Sequence, residues 1–397
     1  SSQNIRQTAI NTIRTLSMDA VEQANSGHPG TPMALAPVAY MLFNEQMRYD
    51  PADPGWVARD RFVLSCGHAS MLLFSMLHLT GVKQLDADGR VLDEPAVPLE
   101  AIRQFRQLDS RCPGHPEHGH TSGVEITTGP LGQGVASSVG MAIASRWLSG
   151  RYARPNFDIF GFNTYAVCSD GDLMEGVSAE AASLAGHLKL SNLCWVYDDN
   201  KITIEGDASL AFSEDVAMRF AGYGWKVVEV DDANELDRLL AALTVFDKTT
   251  DKPTLIIVRS KIAWGAPNAA GTAGAHGAPL GEDEIKATKR AYDWPQDEHF
   301  RVPDEVLAHF RQGIGARGAK LHQAWDEEFD DYRKKYPAQA KELDSIAAGE
   351  LPPGWDADIG VFQPDAKGLA SRVSSGKVLN QVAKNVPWLL GGSADLA

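Results

Sequence analysis

Long apolar runs are missing from this 397-residue sequence. The longest, such as Trp388 to Leu390 with its flanks, fall far short of the roughly 20 residues that a membrane-spanning helix needs, which excludes such a helix. Basic charge is scarce as well. Asp and Glu number 52 against 37 Lys and Arg, a formal balance of −15, so a sequence-independent grip on nucleic acid is excluded and any anionic ligand must be held by local design. Cysteine is sparse: Cys66, Cys112, Cys168 and Cys194 lie far apart with no CxxC, which argues against a zinc ribbon or a disulfide framework and fits a reducing cytoplasm. No internal repeat and no low-complexity segment occurs. What remains, 44% hydrophobic and 22% charged residues, is the composition of a soluble globular protein long enough for two or three packed units.

The first residues, Ser1 to Met18, carry Arg6 and Arg14 without an acid, as organellar transit peptides do. Ile10, Ile13 and Leu16 nevertheless recur at helical intervals and Asp19 and Glu22 follow, so the stretch reads as a domain helix ending near Asn25. From about Thr164 short apolar runs alternate with helical patterns. Tyr165 to Cys168, Leu193 to Tyr197, Lys226 to Val230 and Thr254 to Val258 read as strands, and Ser178 to Leu188, Val216 to Phe220 and Glu235 to Leu243 fall between them. The expected class is α/β, a doubly wound, mostly parallel sheet flanked by helices. Ligands of such sheets sit at the carboxyl ends of the strands. Past Gly281 come charged helices, including Ala319 to Tyr336, then a Pro/Gly stretch at Leu351 to Trp355 and an irregular run to about Lys367 that reads as an interdomain connection. Leu369 to Lys384 is again helical, and Val386 to Leu390 is a strand candidate.

The most informative stretch is Asp170-Gly171-Asp172, followed by a helix, a strand and Asp198-Asp199-Asn200-Lys201-Ile202. Asp170 closes one strand and Asn200 lies just past the next, thirty positions on, a length suited to a crossover between parallel neighbours. The ends of neighbouring strands are only about 5 Å apart, so a carboxylate and an amide oxygen can meet one ion. Hard oxygen donors suit Mg²⁺ or Ca²⁺ and leave positions for phosphate oxygens. Gly171 would let backbone approach those phosphates, with the free N–H groups of the following helix behind it. Either residue alone reads as a strand-ending Asp or a turn Asn; the pair at this spacing reads as a metal site.

A second cluster, Gly129-Pro130-Leu131-Gly132-Gln133-Gly134, leads into a small-residue helix from Val135 to Ala144. Gly132-x-Gly134-x-x-Ser137 is an imperfect dinucleotide fingerprint without a clear preceding strand, and it suits close helix packing as well as backbone approach to a ligand. Four of the eleven histidines, His28, His68, His115 and His276, lie in loops stiffened or opened by Gly and Pro, which suggests one shared polar site. His115-x-x-His118-x-His120 lacks the carboxylate or thiol that would complete a zinc spacing, so His118 and His120 read as solvated.

Ser26-Gly27-His28-Pro29-Gly30, Asp60 to Ser65, Pro113 to Glu117, Thr127 to Gly134, Ser183 to Leu190, Asp198 to Ile204, His276 to Leu280 and Gly391 to Leu396 together resemble transketolase, in order from about residue 4 to the last residue. The resemblance implies thiamine diphosphate and a divalent metal, Mg²⁺ or Ca²⁺, moving a two-carbon ketol unit from a ketose phosphate to an aldose phosphate in the pentose phosphate pathway or Calvin cycle. Carried onto matching positions, it implies Asp170, Asn200 and the carbonyl of Ile202 as metal ligands. The cofactor would be held by His68, Gly129, Pro130, Leu131, Gly171, Asn200 and His276. His28 and His276 would be catalytic and contact substrate, with His115 on a substrate hydroxyl and Arg372 on the sugar phosphate, where a fixed fork suits the group better than a lysine.

By the same resemblance, residues 1–318 form a diphosphate-binding domain, 319–368 a helical and irregular linker, and 369–397 the beginning of a pyrimidine-binding domain. The working form would be a cytoplasmic homodimer with its active site at the subunit interface, and the glutamate that activates the cofactor's pyrimidine would lie beyond residue 397. The chain would then be a truncated or cleaved piece, inactive alone. Lys83 to Pro98 is longer than the family pattern and reads as a surface loop. Three alternatives stand beside this reading: an inert cofactor-binding fragment that needs a partner chain, a dihydroxyacetone synthase, and, on the glycine cluster alone, a nicotinamide-dependent dehydrogenase.

Overall fold

Runs of Val, Ile, Leu and aromatic residues build one five-stranded sheet, and the polar loops gather where its strands end. The structure is a computed structural model that describes residues 2–393, with side chains from Ile5 onward. The chain forms two compact units, Ser1–Glu328 and Phe329–Ala397. In the first, α1 (Ser2–Ala24) and α2 (Gly30–Tyr40) precede β1 (Arg61–Leu64) and α3 (Ser70–Thr80). A hairpin of β2 (Lys83–Leu85) and β3 (Val91–Pro95), the short α4 (Leu99–Arg103) and a long irregular stretch lead to α5 (Gln133–Tyr152). Then come β4 (Thr164–Ser169), α6 (Asp170–Met174), α7 (Gly176–His187) and β5 (Leu193–Asp199). A small hairpin, β6 (Ile202–Thr203) and β7 (Gly206–Asp207), is followed by α8 (Val216–Gly222), β8 (Lys226–Val230), α9 (Leu236–Lys248) and β9 (Thr254–Arg259). Helices α10 (Glu282–Ala291), α11 (Asp304–Phe310) and α12 (Ala316–Lys335) complete the unit, the last running on past its boundary.

The sheet has the order β1-β4-β5-β9-β8 and every pairing in it is parallel. Both faces are buried, and the period of two along each strand sorts its side chains between two cores. Phe62 and Leu64, Tyr165 and Val167, Cys194 and Val196, Ile256 and Val258 face the layer of α1, α2, α3 and α9. Val63, Ala166 and Cys168, Trp195 and Tyr197, Leu255 and Ile257 face α5, α7 and α8. All four cysteines are unpaired and buried. The long connection at Lys83 to Pro98 folds as the β2–β3 hairpin, with β3 exposed along its length.

The second unit holds α13 (Pro337–Ala347) and α14 (Ser371–Asn385). The strand expected at Val386 to Leu390 is not formed: the Leu389 amide donates back to the Val386 carbonyl, closing a turn, and among the described residues no strand pairs with it. Of the Gly391 to Leu396 motif, residues 394–396 lie outside the described residues. A second difference concerns Asp170. Strand β4 ends at Ser169, and Asp170 opens α6, because Ser169 and Asp172 form a capping box that turns the chain into a helix. Among the described residues no helix is long and apolar enough to cross a membrane.

Candidate active site

Strands β1, β4, β5 and β9 discharge their loops at one edge of the sheet, and the residues singled out in the sequence collect there. The Ser65 to His68 segment follows β1, Asp170 and Gly171 follow β4, Asn200 follows β5, and the loop after β9 carries His276. The α1–α2 loop adds His28. Its approach depends on Gly30: a Cβ there would fall 2.4 Å from the Ala275 carbonyl oxygen, so only glycine lets the His28 and His276 loops close on each other. The Ala263 amide donates to the Gly30 carbonyl at 2.9 Å and locks that contact.

Three imidazoles form a triangle, with ring centroids 5.0 Å apart for His28 and His68, 5.0 Å for His68 and His276, and 5.6 Å for His28 and His276. His115 lies at the Gly129 turn, whose Cβ position is 3.3 Å from His115 Cδ2. Burial, with the neighbouring His276, Arg106 and His115, pushes His28 down to about 4. Burial and the other rings hold His68 well below the ordinary histidine value, and burial lowers His276 and His115 in the same direction. The rings are therefore neutral at pH 7, each with one donor and one acceptor nitrogen. His28 Nδ1, His68 Nε2 and His276 Nδ1 are buried without a partner among the described residues, so the triangle holds hydrogen-bonding capacity that these residues leave unused.

Asp170 and Asn200 follow the ends of neighbouring strands, because the β4–β5 register sets Ser169 opposite Asp198. The Tyr197 hydroxyl donates to Asp170 Oδ1, the Lys201 backbone lies against the same carboxyl, and Asp170 Oδ2 is buried without a well-aligned hydrogen-bond partner among the described residues. Burial, reinforced by Asp199 and opposed by the Tyr197 hydrogen bond, pushes the Asp170 carboxyl up to about 6. An oxygen in that condition is a place for a cation. Asn200 Nδ2 donates to Asp198 Oδ2 at 2.7 Å, which fixes the amide, and Asn200 Oδ1 accepts the Ile202 amide at 2.8 Å. Among the described residues no three His, Cys, Asp or Glu side chains converge as a metal-holding group, so a cation here would combine Asp170 with neutral oxygens, as Asn200 and a backbone carbonyl provide.

The glycine turn closes the third side. Leu131 Cδ1 lies 2.8 Å from where a Cβ on Gly171 would stand, so the two glycine motifs touch. Gly132, at φ +79°, caps α5 in the left-handed region that glycine favours. Its amide donates to Asp172 Oδ1 at 2.8 Å, and the Val135 amide donates to Ser65 Oγ at 3.0 Å. Amides that a dinucleotide fingerprint would offer to a pyrophosphate are thus engaged within the chain, and no strand precedes the turn. The dehydrogenase alternative loses its footing.

His118 and His120 differ from the solvated expectation in one respect. Both residues are exposed, but His118 Nδ1 meets the Val124 carbonyl at 2.9 Å and His120 Nε2 the Ser110 carbonyl at 2.8 Å, so they brace their own loop. Arg372 belongs to the second unit, exposed in the first turn of α14. Residues that sequence reasoning left without a role are Asp172, Tyr197, Asp198 and Arg106. Tyr197 and Asp198 carried a signal, polar side chains near the end of an apolar strand, whereas Asp172, inside α6, did not show its partners. Arg106, whose Nη1 donates to Ser26 Oγ at 2.9 Å, carried none, because its place beside His28 depends on contacts eighty positions apart.

Residues 5–352 match a family described as "Transketolase, thiamine diphosphate binding domain". The chain is 52% identical over 394 residues to a transketolase of Geobacillus stearothermophilus, covering 99% of this chain and 57% of that protein. It is 50% identical over 393 residues to one of Bacillus subtilis, covering 99% and 57%. A crystal structure of a Pichia stipitis transketolase in complex with sedoheptulose-7-phosphate superposes with a TM-score of 0.91 at 46% identity, over 99% of this chain and 56% of that one. The chain thus spans a little over half the length of the relatives it matches.

Proposed function

Because the chain belongs to the transketolase family, we propose that it supplies the diphosphate- and metal-holding half of an enzyme that moves a two-carbon ketol unit from a ketose phosphate to an aldose phosphate. The observation that carries this reading is what the loops leaving one end of the sheet bring with them: a buried Asp170 oxygen without a partner among the described residues, a fixed Asn200 amide, the Leu131–Gly171 contact and three neutral imidazoles.

The residues present fit thiamine diphosphate and a divalent cation. Asp170, the Asn200 amide oxygen and the Ile202 carbonyl would take Mg²⁺ or Ca²⁺, whose charge would settle the buried carboxylate as its anion. Gly171, the Gly129-Pro130-Leu131 turn and His68 would hold the diphosphate end. When bound, the cofactor supplies an electron sink for breaking the bond next to the ketose carbonyl.

The chain's own work is binding and proton transfer. His28 and His276 each keep an unengaged nitrogen, so each neutral ring can donate a hydrogen bond to a ketose oxygen or accept a proton from one. His115, beside the glycine turn, would bind a substrate hydroxyl, and Arg372 the sugar phosphate. The sugar phosphate named for the Pichia stipitis relative supports this class of substrate. The same reading takes the working form as a cytoplasmic homodimer, and the unpaired cysteines support a reducing compartment.

The test is uptake of thiamine diphosphate, followed by quenching of tryptophan fluorescence, with and without Mg²⁺. The expected outcome is binding that requires the metal and disappears in Asp170→Ala. Metal-independent binding that survives this substitution would sink the proposal.

A further inference from the structure

Asp172 is wholly buried, and no Lys or Arg is among its hydrogen-bond partners. Its carboxylate is instead surrounded by donors from three separate elements. Oδ1 accepts the Ser65 hydroxyl at 2.7 Å and the Gly132 amide at 2.8 Å; Oδ2 accepts the Ser169 amide at 3.0 Å, with the Ser169 hydroxyl at 3.5 Å. Ser65, the first residue after β1, in turn accepts the Val135 amide of α5. The Ser178 hydroxyl of α7 donates to the Asp172 carbonyl. One side chain therefore ties the end of β1, the amino end of α5 and the β4–α6 junction.

A purely structural role would be served as well by an apolar plug, since burying a charge away from cations is costly and packing alone could fill the space. What a plug could not do is hold the glycine turn by its amide. That turn has two anchors. At its near end the Thr128 hydroxyl donates to the Leu64 carbonyl at 2.8 Å. At its far end the Gly132 amide is held by Asp172. Between the anchors lie Gly129, Pro130 and Leu131, and Leu131 is the residue that meets Gly171. Two positions before Asp172, and in the same single turn of helix, stands Asp170. The carboxylate of Asp172 thus fixes the spacing between the turn and the residue that would hold the cation.

We propose that Asp172 is a positioning residue: it sets the Gly129–Gly132 turn against Gly171 and Asp170 and thereby determines how tightly the pocket holds a diphosphate. The proposal rests on the reading of this pocket as a diphosphate site. Asn at 172 keeps the size but offers one acceptor oxygen to donors that approach both oxygens, so its amide group must face a donor.

The experiment compares the parent chain, Asp172→Asn and Ser65→Ala, each titrated with thiamine diphosphate at saturating Mg²⁺, and follows amide exchange of peptides across the chain. Asp172→Asn is expected to weaken binding by about tenfold, the scale of one hydrogen bond to a charged group. Exchange should rise in peptides covering 129–136 and stay unchanged in those covering β9. Ser65→Ala, which removes one donor and leaves the carboxylate, should show a smaller change in the same direction at the same peptides. Unaltered affinity in Asp172→Asn would overturn the proposal, as would a loss accompanied by faster exchange throughout the chain, which is what a merely structural role predicts. If the parent binds no thiamine diphosphate, the diphosphate reading falls and this inference with it. If the parent binds and Asp172→Asn binds equally, only the inference falls.

Discussion

Four histidines with lowered proton affinity give the site a signature in acid. The unfolded chain, with ordinary imidazoles, binds more protons than the folded one between about pH 4 and 6.5, the window that His28 sets. Stability from these rings is therefore fully present above that window and is lost as pH falls through it. Asp60, a buried carboxylate raised to about 6, works in the opposite sense, since its contribution is lost as pH rises through that value. Comparison with a variant isolates the histidine share: His28→Gln should lose less of its melting temperature between pH 7 and pH 4.5 than the parent does. Parallel losses would refute the assignment. At this scale much of the site was legible in the sequence. Asp170, Asn200 and the four loop histidines announced themselves by spacing and by Gly/Pro surroundings. Asp172 and Arg106 did not reveal their roles, because those are defined by partners 107 and 80 positions away, and spacing along a chain reports nothing about such pairs.

Among the elements, the sheet was the most legible part, since its strands are short runs bounded by breakers and all but the edge strand β8 are largely buried. The expected strand at Val386 to Leu390 has the same texture but no strand beside it among the described residues, and texture alone cannot supply a hydrogen-bonding neighbour. Helix α7 illustrates a constraint that no pattern discloses. A Cβ on Gly186 would stand 1.8 Å from the Tyr223 carbonyl oxygen, where the end of α8 crosses it, and Trp225 Nε1 donates to the Ala182 carbonyl at 2.8 Å in the same contact. Gly186→Ala is expected to cost about 2 kcal/mol or more through overpacking. Gly140 in α5 has open space around its Cβ position, and Gly140→Ala should stabilise by roughly 0.5–1 kcal/mol through helix propensity. Urea denaturation midpoints of the two variants moving in opposite directions would bear this out; a shared direction would contradict it.

For the whole molecule, the proposed cofactor-holding residues all precede position 277, whereas Arg372 stands beyond an irregular stretch. Residues 361–370 are exposed throughout and carry neither helix nor strand. Lys367 is the only Lys or Arg from 348 to 370, so brief trypsin treatment should cut there first and leave a 1–367 fragment. That fragment should keep its metal-dependent uptake of thiamine diphosphate, measured by fluorescence after the digest is separated. Loss of uptake on cleavage would place part of the pocket downstream.

The four cysteines have a use beyond what they exclude. Cys66 lies in the turn that follows β1, Cys168 and Cys194 lie in β4 and β5, and Cys112 sits in the long loop that carries His115. Burial pushes every one of these thiols up, which keeps them protonated and out of reach of reagents in the folded chain. Each becomes reactive only when its own surroundings open. The chain thus carries four built-in clocks: alkylation followed by mass spectrometry would time the opening of the loop at Cys112 separately from that of the sheet, without a label being introduced. Cofactor binding that steadies the pocket should slow the Cys66 clock, because Cys66 directly precedes the Gly67–His68 turn.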